Sequence, residues 1–413
     1  MPFRASEYET IAAVFKKITQ FGDSSKMAIT GDQRLLKKIN RMALVRLVRA
    51  RPGLSRAELA AETGLTKSTV SLLVQELIDE GWLREEEVLV TGAIGRRPTP
   101  LRIDGRSLTL LGAELAVGNL CVLAMSLDGE VLQRQEHRLT GKEKPLEVMV
   151  TLADLIAGMA ERLQAEGRSL LGLGLALPGA VQASDGSLVV APNLGWRNVP
   201  VQAELQRELA DRGLQDLPLH VQNDCDVAAL GEVEFGSCEI ADPLLFIGMG
   251  VGVGAGVVVG ERLLLGRRGF AGEVGHIQLQ ADGPLCSCGR RGCAEVFFGL
   301  QSLATSLSCS IPELFERARN AEPETVKALQ AAGQRLGVLM HNLWTTLDPA
   351  VIVLGGSACE LGPAFLNAAR RSFDVQAQAA GFELPQIQAA RFGALAVPAG
   401  AAALVLHKLL LPI

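Results

Sequence analysis

The strongest chemical signal in the sequence is a histidine followed closely by three cysteines. These residues are His276, Cys286, Cys288 and Cys293. Thiolates and imidazole are ligands that zinc prefers, and four of them fill its tetrahedral shell. The intervening segment is rich in glycine, which permits the sharp turns that such a loop needs. Because a filled shell leaves no position for a reactive water, the pattern predicts a structural zinc site rather than a catalytic one.

The remaining cysteines are scattered along the chain and fit buried, unpaired thiols. They are Cys121, Cys225, Cys238, Cys309 and Cys359. The alternative interpretation, that the three clustered cysteines are also plain buried thiols, fits their C-x-C-x4-C spacing poorly. We do not predict a disulfide framework, because we expect a reducing compartment.

Three helices are predicted near the N-terminus from apolar spacing and capping signals, over 39–49, from Ser55 to about Thr63, and over 67–80. Ser55 and Glu58 match a capping box, and Gly64 provides a tight corner before Thr66 caps the third helix. This order indicates a helix-turn-helix. Apolar residues from Ile11 to Ile18 indicate one further helix before it, whose role the sequence does not show.

The start of the third helix carries short hydroxyls and a cation that reach phosphates and base edges in a major groove. We predict DNA contacts there from Ser55, Thr66, Lys67, Ser68, Thr69 and Ser71. A strand pair within 84–90, with Trp82 beneath it, is predicted to form a wing. Arg96 and Arg97 are predicted to enter a minor groove. Two alternatives stay open, namely that these arginines belong to a solvated linker and that the helices form an ordinary small bundle.

The distribution of charge favours a polyanionic partner for the N-terminal region alone. Residues 1–106 contain 18 Lys and Arg against 13 Asp and Glu, whereas the rest contains 22 against 32. The N-terminus does not match a secretory signal, and the apolar stretch 244–260 is interrupted by glycines and shorter than the roughly 20 residues of a bilayer span. We therefore expect a cytoplasmic protein without a membrane segment.

The 413 residues suffice for two or three domains, and the part after the basic region follows a repeated pattern. Short apolar runs interrupted by Gly and Asp-Gly occur twice, and each series leads into helical stretches. The runs lie at 110–115, 120–127 and from 131 onward, then at 244–249 and 253–259, with helices at 146–163 and 324–347. The pattern predicts a doubled α/β unit with a ligand cleft between two lobes.

The segment from Cys286 to Glu295, CSCGRRGCAE, resembles the CxCGxxGCxE signature of the ROK proteins, a family of repressors, open reading frames and sugar kinases. The resemblance extends over nearly the whole chain and is nearest to the xylose-repressor branch. It continues through Leu177-Pro178-Gly179, 192–196 (PNLGW), Asn223-Asp224, 250–256, 273–276 and 347–356. It implies an α/β fold with a winged helix-turn-helix domain at 1–90, a linker at 91–106, and a two-lobed, actin-like sugar-kinase or Hsp70-type domain at 107–413.

The resemblance also implies a sugar site. It implies that sugar hydroxyls are hydrogen-bonded by Asn223, Asp224, Glu273, His276 and Glu295. Gly179 and Asn193 would line the same pocket. Carboxylates and amides suit this task because they offer several acceptors and donors to neighbouring hydroxyls. His276 would bind metal through one ring nitrogen and sugar through the other. Other interpretations stay open, with Asp224 as a helix cap, Glu273 as a surface acid and Trp196 as a core residue.

The sequence departs from the family's kinases at both phosphate loops. The first kinase loop is an aspartate followed by Gly-Gly-Thr, and here 114–118 reads ELAVG. In the second loop, 250–256, Val251 stands where the kinases have threonine, and valine offers phosphate no hydrogen bond. Asp224, the position of the kinases' general base, is retained, but it also serves as a sugar ligand. We therefore predict that the protein is not an enzyme.

The sequence thus predicts a sugar-responsive transcriptional regulator, most simply a repressor of carbohydrate uptake or catabolism genes. Its expected partners are a sugar and a pseudo-palindromic operator in double-stranded DNA, read by a homodimer or tetramer. Sugar is expected to release the operator, with tightening as the alternative. Two other hypotheses stay open. One is an ATP-dependent sugar kinase with a DNA-binding head, that is, an N-terminal DNA-binding domain. The other is a repressor whose C-terminal domain binds a protein partner instead of a free sugar.

Overall fold

The computed structural model describes residues 33–86, 99–236, 242–378 and 381–411. These residues separate into two compact units, one at Thr109–His407 and one formed by the described residues before Thr109 together with those from Lys408 onward. The helix predicted around 11–18, and Arg96 and Arg97, lie outside the described residues. The predicted domain limits stay a prediction.

The first unit contains a helix-turn-helix, as the capping signals predict. Its elements are α1 (Gln33–Ala50), α2 (Arg56–Thr63), α3 (Lys67–Asp79), β1 (Leu83–Glu85) and β2 (Leu101–Ile103). Gly64 ends α2 in the left-handed conformation, with φ of 70°, and the Thr66 side chain accepts a hydrogen bond from the Thr69 amide at the start of α3. Apolar side chains from all three helices are buried together, among them Val45, Leu59 and Leu73.

Two details of this unit correct the sequence analysis. Within the described residues, helix α1 already includes Gln33, upstream of the predicted Ile39, because this segment carries polar residues that propagate a helix without apolar periodicity. Of the strand pair predicted within 84–90, residues 87–90 lie outside the described residues, and the described strand β1 pairs antiparallel with β2, with Leu83 opposite Ile103. A local pattern cannot reveal a partner that lies this far along the chain. Trp82 is buried, as expected beneath such a pair.

The first lobe of the second unit is a five-stranded sheet covered by helices. Its elements are β3 (Leu108–Ala116), β4 (Asn119–Ser126), β5 (Val131–Arg138), α4 (Pro145–Ala165), β6 (Ser169–Leu177), α5 (Val201–Ala210) and β10 (Leu219–Asn223). The strands follow the spatial order β5-β4-β3-β6-β10. A small separate sheet is formed by β7 (Ala180–Val181), β8 (Leu188–Ala191) and β9 (Trp196–Val199). Of the predicted sugar site, Gly179 precedes β7, Asn193 lies between β8 and β9, and Asn223 ends β10.

The second lobe repeats this design. Its strands are β11 (Leu244–Met249), β12 (Val253–Val259), β13 (Arg262–Leu263), β14 (Val351–Gly355) and β15 (Gln386–Ala389). Its helices are α6 (Asp224–Phe235), α7 (Glu295–Phe298), α8 (Leu300–Ser306), α9 (Ile311–Arg319), α10 (Pro323–Leu347), α11 (Pro363–Gln378) and α12 (Ala396–Leu410). The spatial order β13-β12-β11-β14-β15 matches that of the first lobe, with three antiparallel strands followed by two parallel ones. The predicted doubled α/β unit is therefore confirmed.

Each sheet has its own apolar core on a helix-covered face. The first core includes Val122, Ile156 and Leu175. The second includes Phe298 and Leu339. Separate cores of this kind let two lobes hold a fixed internal geometry while their polar edges contribute to one site.

One helix passes a length and hydropathy test for a membrane span among the described residues. It covers Gly393–Leu410, and 67% of it is buried inside the protein. This segment, rather than 244–260, is the most span-like part of the described chain. Its burial is that of a core helix.

Candidate functional site

The four predicted metal ligands converge on one point. One ligand atom from each of His276, Cys286, Cys288 and Cys293 lies within 4.8 Å of all the others. His276 Nδ1 is 3.7 Å from Cys286 Sγ, and Cys288 Sγ is 3.7 Å from Cys293 Sγ. Sulfur ligands about 2.3 Å from a tetrahedral zinc would lie about 3.8 Å apart. The donor set and its spacing therefore fit a four-coordinate metal.

Backbone hydrogen bonds close the loop that carries the cysteines. The Cys286 amide donates to the Arg290 carbonyl at 2.7 Å, and the Gly289 amide donates to the Cys286 carbonyl at 2.9 Å. Isolated bridges pair Leu285 with Arg291 and Gln278 with Cys293. The loop is thus a tight hairpin tied to the segment that follows His276, which brings residues distant in sequence to one site.

Cys288 is the thiol that this loop prepares best for a metal. Its pKa lies at about 7, below the usual value of a thiol. Burial acts in the opposite direction, but hydrogen bonds from the backbone and side chain of Arg290, together with those from Cys286 and Cys293, outweigh it. Because metals bind the thiolate, a thiol that ionises near neutral pH favours metal uptake.

The second ring nitrogen of His276 faces the predicted sugar residues. His276 Nε2 is 4.0 Å from Glu273 Oε2, while Nδ1 faces the thiols. Both residues line an open cavity of about 580 Å³, together with Arg290, Arg291 and others. His276 therefore lies between the metal cluster and Glu273, and these two residues are the predicted sugar residues that line this cavity.

Asn223 and Asp224 lie where β10 meets α6. Asn223 Nδ2 donates to the Gly179 carbonyl at 2.9 Å, and its Oδ1 accepts from the Cys225 and Asp226 amides. Gly179 itself has φ of 89°, a conformation that glycine adopts without strain. Asp224 begins α6, and burial raises the pKa of its carboxyl. Asn223 thus serves as the helix cap and fixes the backbone at Gly179, while Asp224 is held next to it.

Asn193 and Glu295 meet across the two lobes at Gly252. A Cβ placed on Gly252 would lie 2.9 Å from Glu295 Oε2 and 3.1 Å from Asn193 Nδ2. Glu295 Oε2 also accepts a hydrogen bond from the Val253 amide at 3.1 Å. Two of the predicted sugar residues, Asn193 and Glu295, therefore approach one glycine, which leaves space for both side chains. The sequence analysis placed Gly252 only in a phosphate-loop pattern.

The charges of two predicted sugar residues contribute to the raised pKa of a third, Glu273. The pKa of Glu273 is raised to about 7 by burial and then by the negative charges of Asp224 and Glu295. The Glu273 side chain is 31% exposed, so it is only partly buried where the charges of Asp224 and Glu295 act on it. An amphipathic, hydroxyl-rich ligand would donate and accept the hydrogen bonds that these groups lose when water is excluded from around them.

Two further buried acids near this site, Glu114 and Asp226, were not predicted from the sequence as site residues. Burial and then the charges of Asp224 and Glu136 raise the pKa of Glu114 to about 8. Asp226 is 3% exposed, and burial followed by the charges of Asp224 and Glu273 raises its pKa to about 8. Gln222 Nε2 donates to one Asp226 oxygen, and the other has no hydrogen-bond partner among the described residues. Only the N-D-C-D run that places Asp226 two residues after Asp224 hints at this in the sequence.

The second phosphate loop is already occupied by internal hydrogen bonds. The Gly250 amide donates to the Gly252 carbonyl at 2.8 Å, and the Val253 amide donates to Glu295. A kinase of this fold needs such amides to hold nucleotide phosphates. The geometry therefore agrees with the loss of the threonine at Val251.

In the first unit, α3 presents the predicted DNA-contacting face. Lys67 and Ser68 are exposed at its start, and the Thr66 hydroxyl lies 2.9 Å from that of Ser68 and 2.8 Å from that of Thr69. The Ser71 hydroxyl accepts a hydrogen bond from an Arg56 guanidinium nitrogen at 3.3 Å. These hydroxyls form one polar surface on the helix.

Ser55 does not belong to that surface. It is 3% exposed, its hydroxyl donates to Glu58 Oε2 at 2.7 Å, and it completes the capping box at the start of α2. Its assignment as a DNA contact is therefore corrected to helix capping, because a buried and satisfied hydroxyl presents nothing to DNA. Arg96 and Arg97 lie outside the described residues.

Comparisons with known proteins agree with both units. The ROK family model matches residues 111–408, and the model of the IclR helix-turn-helix domain matches residues 42–87. The chain belongs to the ROK family. Its ROK domain explains the repeated α/β lobes, and its helix-turn-helix makes it a DNA-binding member of that family.

Two of the similar proteins match nearly the whole chain, and a third matches about its ROK domain alone. A putative xylose repressor from Caldicellulosiruptor sp. (strain Rt8B.4) is 28% identical over 92% of this chain and 98% of its own length. A solved ROK transcriptional regulator, described as a homologue of the E. coli MLC protein, covers 91% of this chain and 97% of its own at 24% identity, with a TM-score of 0.74. A ROK glucokinase from Streptomyces griseus, solved with glucose and AMPPNP, covers 72% of this chain and 98% of its own at 25% identity, with a TM-score of 0.62.

Proposed function

We propose that this ROK protein is a sugar-responsive DNA-binding repressor that senses its sugar in the cleft between the two lobes. The observation that carries the proposal is the meeting of Asn193 and Glu295 at Gly252, near Glu273, whose pKa the charges of Asp224 and Glu295 help to raise. These groups offer a dense set of acceptors and donors to a polyhydroxylated ligand. The helix-turn-helix at residues 42–87 supplies the output.

The proposed sugar site comprises Gly179, Asn193, Asn223, Asp224, Glu273, His276 and Glu295. Because these residues come from both lobes, a bound sugar would favour one arrangement of the lobes over others. A ligand shifts an equilibrium only by its differential affinity for the two states. We propose that the sugar-bound arrangement binds operator more weakly.

The metal cluster would hold zinc as a structural ion through His276, Cys286, Cys288 and Cys293. Zinc there would supply the bonds that keep the hairpin closed, and no open position would be left for catalysis. The chain's own contribution is the orientation of His276, whose Nε2 faces Glu273 while Nδ1 faces the thiols. We propose that the loop thereby fixes the sugar-facing edge of the imidazole.

We further propose that the protein is not an enzyme. The second phosphate loop has Gly250 and Val253 amides bonded within the protein, and Val251 has no hydroxyl. Glu114 stands where the kinases of the family carry the aspartate of their first loop. Sugar binding and phosphoryl transfer are separable, because the second requires a nucleotide site that these features do not support.

DNA recognition is proposed for the exposed start of α3, with Thr66, Lys67, Ser68, Thr69 and Ser71 as contacts, and for Arg96 and Arg97. A homodimer or tetramer would present two such helices to half-sites about one or two helical turns apart. A cytoplasmic location suits this role and keeps the thiols reduced.

The test uses the full chain and an operator selected from a random double-stranded DNA library. Operator affinity is measured by gel shift with D-xylose, D-glucose, N-acetylglucosamine and N-acetylmannosamine. We expect one sugar to weaken operator binding by about 5- to 150-fold, the usual range of allosteric coupling. Glu295→Gln should lose this response and Glu161→Gln, an exposed acid on α4, should keep it. An operator affinity unmoved by every sugar would defeat the proposal.

A sugar kinase with a DNA-binding head is the second candidate, because Asp224 is retained at the kinase base position. A coupled ADP-release assay with the same four sugars separates the two functions. We expect no sugar-dependent ADP release. Turnover that disappears in Asp224→Asn would establish the kinase instead.

A further inference from the structure

The recognition helix α3 carries an exposed leucine in the middle of its polar face. Leu72 is 60% exposed, whereas Val70, Leu73, Val74 and Leu77 of the same helix are buried and Ile78 is partly buried. The exposed positions of α3 form one stripe along the helix. They are Lys67, Ser68, Ser71, Leu72, Gln75 and Asp79.

The neighbours of Leu72 on this stripe are held in place by one arginine. Arg56 guanidinium nitrogens donate to the Ser71 hydroxyl at 3.3 Å and to Gln75 Oε1 at 3.1 Å. Gln75 Nε2 in turn donates to Asp79 Oδ1 at 2.9 Å. Leu72 thus projects from a braced polar surface, which leaves its methyl groups facing solvent without a local apolar partner on that stripe.

We propose that Leu72 reads a thymine in each operator half-site by packing on its 5-methyl group. In the major groove the thymine methyl is the apolar group that distinguishes one base from the others, and apolar side chains recognise it by contact. Leu72 lies one turn beyond Ser68 at the start of the helix, the part of a recognition helix that reaches base edges. The inference rests on the proposed operator binding and adds a base-specific residue to it.

The expected effect follows from burying one methyl group. Burial of a methylene or methyl contributes about 0.8 kcal/mol, which corresponds to about fourfold in affinity for each half-site. A dimer on two half-sites should therefore lose about 15-fold when both methyls are removed. Because Leu72 is exposed, its truncation should leave folding unchanged.

The test is a double-mutant cycle that combines removal of the Leu72 side chain with removal of the thymine 5-methyl group. Each thymine of the selected operator is replaced in turn by deoxyuridine, which lacks only the 5-methyl group, symmetrically in both half-sites. Affinities are measured for the wild-type chain, for Leu72→Ala and for Lys67→Ala. We expect one thymine position at which the wild-type chain loses about 15-fold and Leu72→Ala loses nothing further.

Lys67→Ala serves as the matched control, because it should weaken binding to every duplex and keep the full sensitivity to deoxyuridine at that position. A set of thymines that affects the wild-type chain and Leu72→Ala equally would overturn the role of Leu72 while leaving operator binding intact. Failure to select any duplex above the random library would instead overturn the proposed function, and the assignment of Leu72 with it.

Discussion

A methyl group at Gly252 should damage the sugar pocket without damaging the fold. In Gly252→Ala the new Cβ would lie 2.9 Å from Glu295 Oε2 and 3.1 Å from Asn193 Nδ2. Both atoms are the ends of side chains, so they would move aside rather than force the backbone apart. Gly252 is not one of the glycines with positive φ, and alanine therefore suits its backbone conformation.

The size of the effect follows from the contacts. An ordinary van der Waals distance of 3.4 Å requires Glu295 Oε2 to shift by about 0.5 Å, which disrupts its hydrogen bonds to sugar. A hydrogen bond to a charged group contributes about 1.5–3 kcal/mol, so the loss of one should weaken sugar binding about 10- to 150-fold. The hydrogen bond from the Val253 amide to Glu295 would also weaken, at a cost of about 1 kcal/mol in unfolding free energy.

The assay is calorimetric titration of the full chain with the sugar that the wild-type protein binds, alongside denaturant unfolding. Gly250→Ala is the matched control in the same loop, since its Cβ would lie 3.6 Å from Ser357 Oγ, an ordinary contact. We expect Gly250→Ala to bind sugar nearly as the wild-type chain does. If Gly252→Ala also bound sugar with wild-type affinity, Glu295 and Asn193 would not form the pocket.

Three further predictions address the metal loop, the DNA-binding face and the buried acids. Cys288→Ser should lower zinc content, measured by elemental analysis, and sugar affinity together; unchanged sugar affinity in the zinc-free variant would refute their coupling. Lys67→Ala should weaken operator binding and lower its salt slope by about 1 without affecting sugar affinity, and an unchanged operator affinity would remove Lys67 from the interface. The pKa of the Asp226 carboxyl is about 8 in the folded protein, against 3.8 for an unperturbed aspartate. The unfolding free energy should therefore fall as the pH rises from about 4 to about 8, by up to about 1.4 kcal/mol per pH unit from this group. Asp226→Asn should flatten that fall in denaturant unfolding, and equal slopes in the two proteins would contradict the assignment.

The parts of the fold that the sequence predicts well are those set by local signals. Ser55, Gly64 and Thr66 mark helix ends by short-range hydrogen bonds and backbone conformation, and the structure places the ends of α2 and α3 accordingly. The alternation of apolar runs likewise predicted both sheets. The cysteine spacing predicted a cluster whose geometry fits a metal.

Other features depend on tertiary partners and were beyond a local pattern. Strand β2 pairs with β1 although the two strands are separated by 15 residues in the sequence, so the local pattern near Arg84 did not reveal this partner. The raised pKa values of Glu114 and Asp226 arise from burial among residues that are distant in sequence. Gly252 gains its role only because Asn193 and Glu295 approach it from different lobes.

The coupling between the sugar cleft and the DNA-binding head is tested most directly by measuring the affinity for sugar and the affinity for operator, each with and without the other ligand. Sugar affinity is determined for the free chain and for the chain saturated with operator, and operator affinity is determined with and without saturating sugar. If sugar and operator select different arrangements of one protein, the two ratios must be equal, and we expect each to lie between about 5 and 150. Two ratios of 1, with both ligands bound, would contradict the account.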